Sequence, residues 1–550
     1  MQRPRPSLVQ PAHPAGESPP GGEVAPEAGA PPSTRRLRAF RRGLGVSGAS
    51  ARRHVAAVSG LVGLFIAVEL TVAWPDSLVD DWMGWRQADT QTIARHLALD
   101  FNPLQPEVDW GGGGPNAVES EAPVYAALVS AALRLTPGQP EWPGRALSLL
   151  ALTFCALLLH RTLRRRYGDG ASLLATAFFL ASPAALFLGN AVQPDGMALL
   201  LTAVAFVSFL AYAEAPGDPA HARRLLGLAV VATALAGLTK PTALHIGVAQ
   251  ALLLLLLRPR ALRRVAPWAA WSLALAVAGA WLFWAAGIHE RTGLTFGSVS
   301  GGDSKFPAAR DLLRPGRYWD LARVSLFWGI GLPGAISGGW LLLRRRVEPA
   351  EWALFAASAV LLTVTMRYSS QEWLGSHYHA PTALLGTWLV AHAARDLAPR
   401  LVTPARRRAA LALTLLALAG WFAAGLHARR TLGEGWAQPE IALGVALRPH
   451  LAAGDLVVVR SRAPAFDEAW GTANNYQDPR LLYVAGAHGW VLPLDEGWAP
   501  ETLADLAHSG ARFYVDPTGD LPAHPELLAW LTAHAQPLAA GPAPALWRLP

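Results

Sequence analysis

Apolar residues fall in eleven runs along this chain, at about 54–74, 144–162, 171–188, 197–212, 225–238, 242–257, 266–287, 326–343, 352–366, 381–394 and 409–426. A bilayer core asks for about 20 apolar residues per helix, so the pattern predicts an all-α polytopic membrane protein of about eleven transmembrane helices within residues 54–426. The first run starts too late for a signal peptide and no cleavage site follows it, so it reads as an uncleaved span. Residues 1–53 are rich in Pro, Gly, Ser and Ala and can build no core; they read as a disordered tail.

Two polar stretches between or after the runs are too long for turns. Residues 75–143 contain a segment (90–99) patterned as an amphipathic interfacial helix and a short apolar one (124–135) that reads as a second interfacial or re-entrant helix. Residues 427–550 alternate strand-like runs (456–460, 512–515) with helical ones (500–508, 526–535), which predicts a small α/β domain. No internal repeat is evident. That weighs against an inverted-repeat transporter, although a polytopic transporter or lipid flippase remains the competing class.

Composition agrees with the pattern: 52% of residues are hydrophobic and only 16% charged, against about 25% charged in soluble domains. Cys155 is the sole cysteine, which excludes an intrachain disulfide framework and a Cys-rich metal site. The net charge of +8 could suggest nucleic acid. The arginines, however, cluster between runs, at Arg52-Arg53, 161–166, Arg223-Arg224, 258–264, 344–346 and 395–408, and all of these fall on one side when spans are counted. By the positive-inside rule that side is cytoplasmic. The N-terminus is then cytoplasmic, and the first long loop and the 427–550 domain are extracytoplasmic. Only Lys240 and Lys305 are lysines, which singles out Lys240, in a turn on the side where arginines are few.

Polar groups concentrate in the first loop: Asp80, Asp81, Arg86, Asp89, Asp109, Glu119 and Glu121. Ionisable groups at the mouth of a bundle suggest acid–base work, whereas a merely solvated surface is the plainer reading of Asp109. Pro194-Asp195 suits a helix start, so Asp195 reads as a cap as well as a site candidate. Lys240 reads either as snorkelling toward lipid phosphates or as holding one specific phosphate. His377-Tyr378-His379 is either an interfacial belt or a weak metal signal. No phosphate-cradling glycine loop, Ser–His–Asp set or zinc spacing occurs. Gly111–Gly114 has no helix start beside it and reads as a flexible loop.

In the order of these parts the chain resembles the GT-C membrane glycosyltransferases that use polyprenyl-phosphate sugars, such as protein O-mannosyltransferases and lipid A aminoarabinose transferases. The segments that carry the likeness are Glu121-Ala122-Pro123, Pro194-Asp195, Leu238-Thr239-Lys240-Pro241 and His377-Tyr378-His379-Ala380-Pro381. The family's paired Asp-Glu before the interfacial helix is absent, and its lysine after the Glu is here Ala122. The resemblance implies an inverting transfer to a lipid, glycan or protein acceptor at the outer face of a bacterial plasma membrane. Asp89 would be the base, with Asp81 as the alternative. Lys240, Arg367 and His377 would hold the donor phosphate, and Arg86, Glu121, Asp195 and Tyr378 would contact sugar or acceptor. No cofactor is implied with certainty, a divalent metal is possible without being indicated, and nucleic acid is not a partner.

Overall fold

The computed structural model describes residues 48–71, 77–136, 141–215, 218–297, 299, 306–365, 367–370, 375–468, 472–474, 476–538 and 545–550. Most of the tail expected to be disordered therefore lies outside the described residues. Residues 1–55 and 56–550 form two units, and everything below concerns the second.

Every apolar run becomes helix, but not every run becomes one long helix. Among the described residues six helices are long and apolar enough to cross a membrane: residues 51–71 of α1 (Gly48–Thr71), α4 (Trp142–Tyr167), α7 (Asp195–Glu214), α8 (Pro219–Thr239), α10 (Val265–Thr292) and α15 (Pro404–Gly433). The other helices here are α2 (Gly84–Leu99), α3 (Val124–Leu133), α5 (Asp169–Leu180), α6 (Pro183–Leu188), α9 (Ile246–Leu257), α11 (Pro315–Trp328), α12 (Gly331–Leu343), α13 (Pro349–Val360) and α14 (Thr382–Leu397).

The remaining runs are interrupted for local reasons. Between α5 and α6, Ser182 is extended and its hydroxyl accepts from Ala185 N at 3.2 Å; Pro183 disfavours helix at the residue before it. α11 and α12 are bent by 111°. Gly331 there has φ +66°, and a Cβ on Gly329 would lie 1.9 Å from Thr382 Oγ1, so both positions need glycine. α9 is preceded by a 3-10 turn, Pro241–His245, and α13 runs on into a π-helical turn, Leu361–Thr365. α12 and α14 approach closely at small residues, with Gly386 Cα 3.0 Å from where a Cβ on Gly334 would sit, as helices in lipid commonly pack.

The helix expected at 90–99 is longer, and its burial differs from an amphipathic surface helix. Ten of the sixteen residues of α2 are buried, including Gln87, Asp89, Thr90, Gln91 and Thr92. α3 falls within the expected 124–135. Toward the C-terminus, after α16 (Gln438–Leu447), the expected strands and helices appear as β1 (Leu456–Arg460), β5 (Ala511–Val515), α18 (Pro500–His508) and α19 (Pro525–His534). The chain also forms α17 (Arg480–Ala485) and the strands β2 (Phe466–Asp467), β3 (Thr472–Ala473), β4 (His488–Leu492), β6 (Gln536–Pro537) and β7 (Leu546–Arg548). The main sheet runs β4-β1-β5-β7-β6, parallel across its first three strands and antiparallel after them. Val457, Val459 and Phe513 from this sheet share a buried cluster with Ile93, Leu97, Trp110 and Val118 of α2 and the first loop. The first loop and the C-terminal region are thus packed on each other.

Candidate active site

Lys240 is fixed by the end of α8. Its backbone is extended (φ −156°, ψ 111°), its N–H still donates to Ala236 O, and Pro241 prevents the helix from continuing. Its ammonium pairs with Asp195, the first residue of α7 after Pro194, and lies 4.8 Å from the Tyr378 ring centroid. Tyr378 and His377 stand in a 3-10 turn, Ser376–His379, with ring centroids 3.9 Å apart. Asp195, Lys240, His377 and Tyr378, with Thr202 and His245, line a cleft of about 350 Å³.

A second cleft, of about 320 Å³, is lined by Arg86, Thr90, Ser120, Glu121, Pro194 and Phe296. Arg86 pairs with Glu121 and lies 4.8 Å from the Phe296 ring centroid. Phe296 arrives through a bridge between Thr295 and Glu119, in which Phe296 N donates to Glu119 O at 2.9 Å. Sequence reading missed Phe296, because it stands in a connection with no motif around it. Pro194 and Asp195 are adjacent, so the two clefts neighbour each other.

Electrostatics joins them. Burial pushes the His377 imidazole well below its ordinary range, helped by the nearby charges of Lys240 and Arg86. Burial likewise pushes the Tyr378 phenol up, and Asp195 and Glu121 add to that. At neutral pH His377 is therefore an uncharged hydrogen-bonding group and not a second cation. His379 is held to about 4 by burial. Its Nε2–H donates to Ser369 O at 2.7 Å, which leaves Nδ1 to accept from the Ser325 hydroxyl at 2.8 Å.

The remaining candidates stand elsewhere. Asp89 is buried (1% exposed) and lines neither cleft. One oxygen accepts from Trp110 Nε1 at 2.9 Å, the other has no partner among the described residues, and burial raises the carboxyl well above the usual range. Arg86, three residues before it on α2, is a charge partner of Asp89 and itself lines the second cleft. Asp81 is fully buried, accepting from Arg429 Nη1 at 2.5 Å and Met83 N at 2.8 Å; Arg429 also donates to Asn190 Oδ1 at 2.8 Å. Arg367 is buried beside Tyr368 and lines neither cleft; its carbonyl accepts from Arg317 at 2.9 Å. Asp109, read as solvated, is in fact buried at 5% exposure and accepts from Thr92: the protein packs over this part of the loop.

A polytopic helical bundle with a polar, paired site at the helix ends beside a long first loop defines the class: an integral membrane protein. Comparison with known proteins gives the particulars. Residues 120–284 match the family described as dolichyl-phosphate-mannose-protein mannosyltransferase, a stretch that contains Glu121, Asp195 and Lys240. ArnT from Cupriavidus metallidurans bound to undecaprenyl phosphate is similar at a TM-score of 0.58 and 14% identity, over 89% of this chain and 98% of that one. The Archaeoglobus fulgidus oligosaccharyltransferase in its apo form is similar at 0.55 and 11% identity, over 84% of this chain and 69% of that one. AglB from the same organism, in complex with an inhibitory peptide and a dolichol-phosphate, is similar at 0.55 and 12% identity, over 86% and 70%. No curated protein matches by sequence. The GT-C resemblance read from the sequence is thus shown at the level of the fold.

Proposed function

We propose that this protein is an inverting glycosyltransferase of a bacterial plasma membrane, moving a sugar from a polyprenyl-phosphate donor to a lipid, glycan or protein acceptor at the outer face. The observation that carries this reading is the Lys240–Asp195 pair in a cleft with Tyr378 and His377. It gains support from similar proteins whose structures hold undecaprenyl phosphate and a dolichol-phosphate.

On this reading the donor phosphate takes the place of Asp195 beside the Lys240 ammonium, which stabilises the charge that develops as the phosphate leaves. Tyr378 and neutral His377 offer hydrogen bonds without adding charge. Arg367 assists from further back. The second cleft, between Arg86, Glu121 and Phe296, receives sugar and acceptor. A carboxylate removes the acceptor proton while the acceptor atom bonds to the anomeric carbon from the face opposite the phosphate, and the bond from that carbon to the phosphate oxygen breaks. Asp89, whose carboxyl burial holds above the usual carboxylate range, serves if Arg86 swings aside. Glu121 competes because it lines the cleft directly. Asp81, locked by Arg429, supports the fold.

Purified protein incubated with a panel of polyprenyl-phosphate sugars tests the reading, with released polyprenyl phosphate as the signal. Lys240→Ala should abolish release in folded protein, and whichever of Asp89→Asn and Glu121→Gln also does so names the base. Full activity in Lys240→Ala and in both carboxylate variants overturns the assignment.

A further inference from the structure

The second place where the first loop meets the C-terminal sheet has its own chemistry. His96 lies in the last turn of α2, Asp109 in the first loop and His488 at the start of β4, and one ligand atom from each lies within 4.8 Å of the others. His96 Nε2 is 2.9 Å from Asp109 Oδ1, and His488 Nδ1 is 3.4 Å from the same oxygen. Ligands around a tetrahedral zinc at about 2.0–2.1 Å stand about 3.4 Å apart, so these separations are already close to those of a bound ion.

The arrangement is built by main-chain bonds and does not depend on loose side chains. Gly489 N donates to Asp109 O at 3.0 Å, while Gly111 N and Gly112 N donate to Gly489 O at 2.9 and 2.8 Å. A Cβ on Gly489 would lie 1.7 Å from Val457 O of β1, so glycine is what lets β4 pair this closely with β1 at the point where the strap bonds to it. These bonds set Asp109 and His488 in register. Gly111 and Gly112, which read as a flexible loop, are part of the strap.

Groups that can support the ligands stand beside them. Glu107 Oε2 is 3.8 Å from His96 Nδ1, the nitrogen turned away from Asp109, and Thr92 Oγ1 donates to Asp109 Oδ2 at 3.2 Å. A carboxylate behind a ligating imidazole fixes its tautomer and raises its basicity. Two imidazoles and one carboxylate suit zinc, whereas magnesium and calcium take all-oxygen sets. The side chain of His488 is 50% exposed, so a water can reach a fourth position and an ion can enter from solvent.

We propose that this chain binds one zinc ion through His96, Asp109 and His488, clasping α2 and the first loop to the C-terminal sheet. The clasp is independent of the transferase reading and stands or falls without it. Its test uses the full chain, purified in detergent with a tag free of histidine and stripped by chelator, then titrated with zinc chloride and with cobalt chloride. One equivalent should bind. Cobalt should give the visible absorption of a four-coordinate site, and zinc should raise the unfolding temperature. His488→Ala, at an exposed position, and His96→Ala should each lose the equivalent, the cobalt spectrum and the thermal shift. Glu107→Gln should bind about tenfold more weakly, while size-exclusion profiles remain those of the parent. Absence of stoichiometric zinc in the parent chain, or equal binding in His96→Ala and His488→Ala, overturns the proposal.

Discussion

The two ends of α7 carry contrasting ion-pair networks. At its start, Asp195 pairs with Lys240, and Arg86 pairs with Glu121 nearby; each pair faces a cleft. At its end, Glu214 accepts from Arg166 at 2.6 Å, and Arg166 also donates to Glu348 at 2.8 Å. Tyr167 donates to the same Glu348 at 2.9 Å, Arg395 donates to Arg166 O at 2.6 Å, and His392 is 2.7 Å from Glu351. A 20-residue helix spans about 30 Å, the thickness of a bilayer core. The far end ties α4, α7, α13 and α14 together, with Arg166 and Glu348 each bonded to more than one partner. At the near end each ion pair borders an open cleft. That difference separates a network that holds helices from one that can exchange a protein partner for a ligand.

The contrast breaks most decisively at Lys240. Lys240→Ala should lower polyprenyl phosphate release by about a hundredfold or more, as loss of a charge-stabilising group does, with an unchanged size-exclusion profile. Arg166→Ala should do the opposite, lowering the yield of folded protein while activity per folded molecule survives. Equal activity losses in the two would erase the distinction.

A buried pair with no cleft sharpens it further. Arg429→Leu leaves the Asp81 carboxylate buried and uncompensated, which should cost about 3–5 kcal/mol of stability, read as a lowered thermal midpoint. Retention of the parent midpoint would mean that the pair is not structural.

The near end should also be the acid-sensitive one. His379 is held to about 4 by burial, and His377 is depressed too, against about 6.5 for a free histidine. Below about pH 6.5 the unfolded chain takes up protons that these folded imidazoles refuse. Stability therefore falls as pH drops from about 6.5 toward 4 and levels off below that. His379 alone amounts to on the order of 3 kcal/mol, and His379→Gln should flatten the acid limb of a plot of thermal midpoint against pH. The smallest effect belongs to Arg164 and Asp169 at the far end, a pair 40% and 45% exposed. Asp169→Asn should change stability by less than about 1 kcal/mol, seen as an unmoved midpoint.

Much of this was legible in the chain. Every apolar run became helix because hydrophobic length is a local property, and Pro183, Gly329 and Gly331 explain where runs broke. Asp195 stands at a helix start and Lys240 at a helix-ending Lys-Pro turn, as read from the chain, because those backbone signals are local too. The 90–99 segment looked like a surface helix, and the packing of the first loop and the C-terminal sheet on α2 is what buried its polar residues. The His96, Asp109 and His488 cluster escaped for a similar reason, since a metal spacing is visible in sequence only when the ligands are close along the chain.

The sequence by itself determined the helices and the scarcity that marks Lys240, because hydropathy, composition and backbone preference are set residue by residue. Tertiary structure alone decided which carboxylate faces a cleft, which is locked by Arg429, and that the first loop lies against the C-terminal sheet. Burial and pairing depend on chain segments hundreds of positions apart, and no local pattern records which of them will meet.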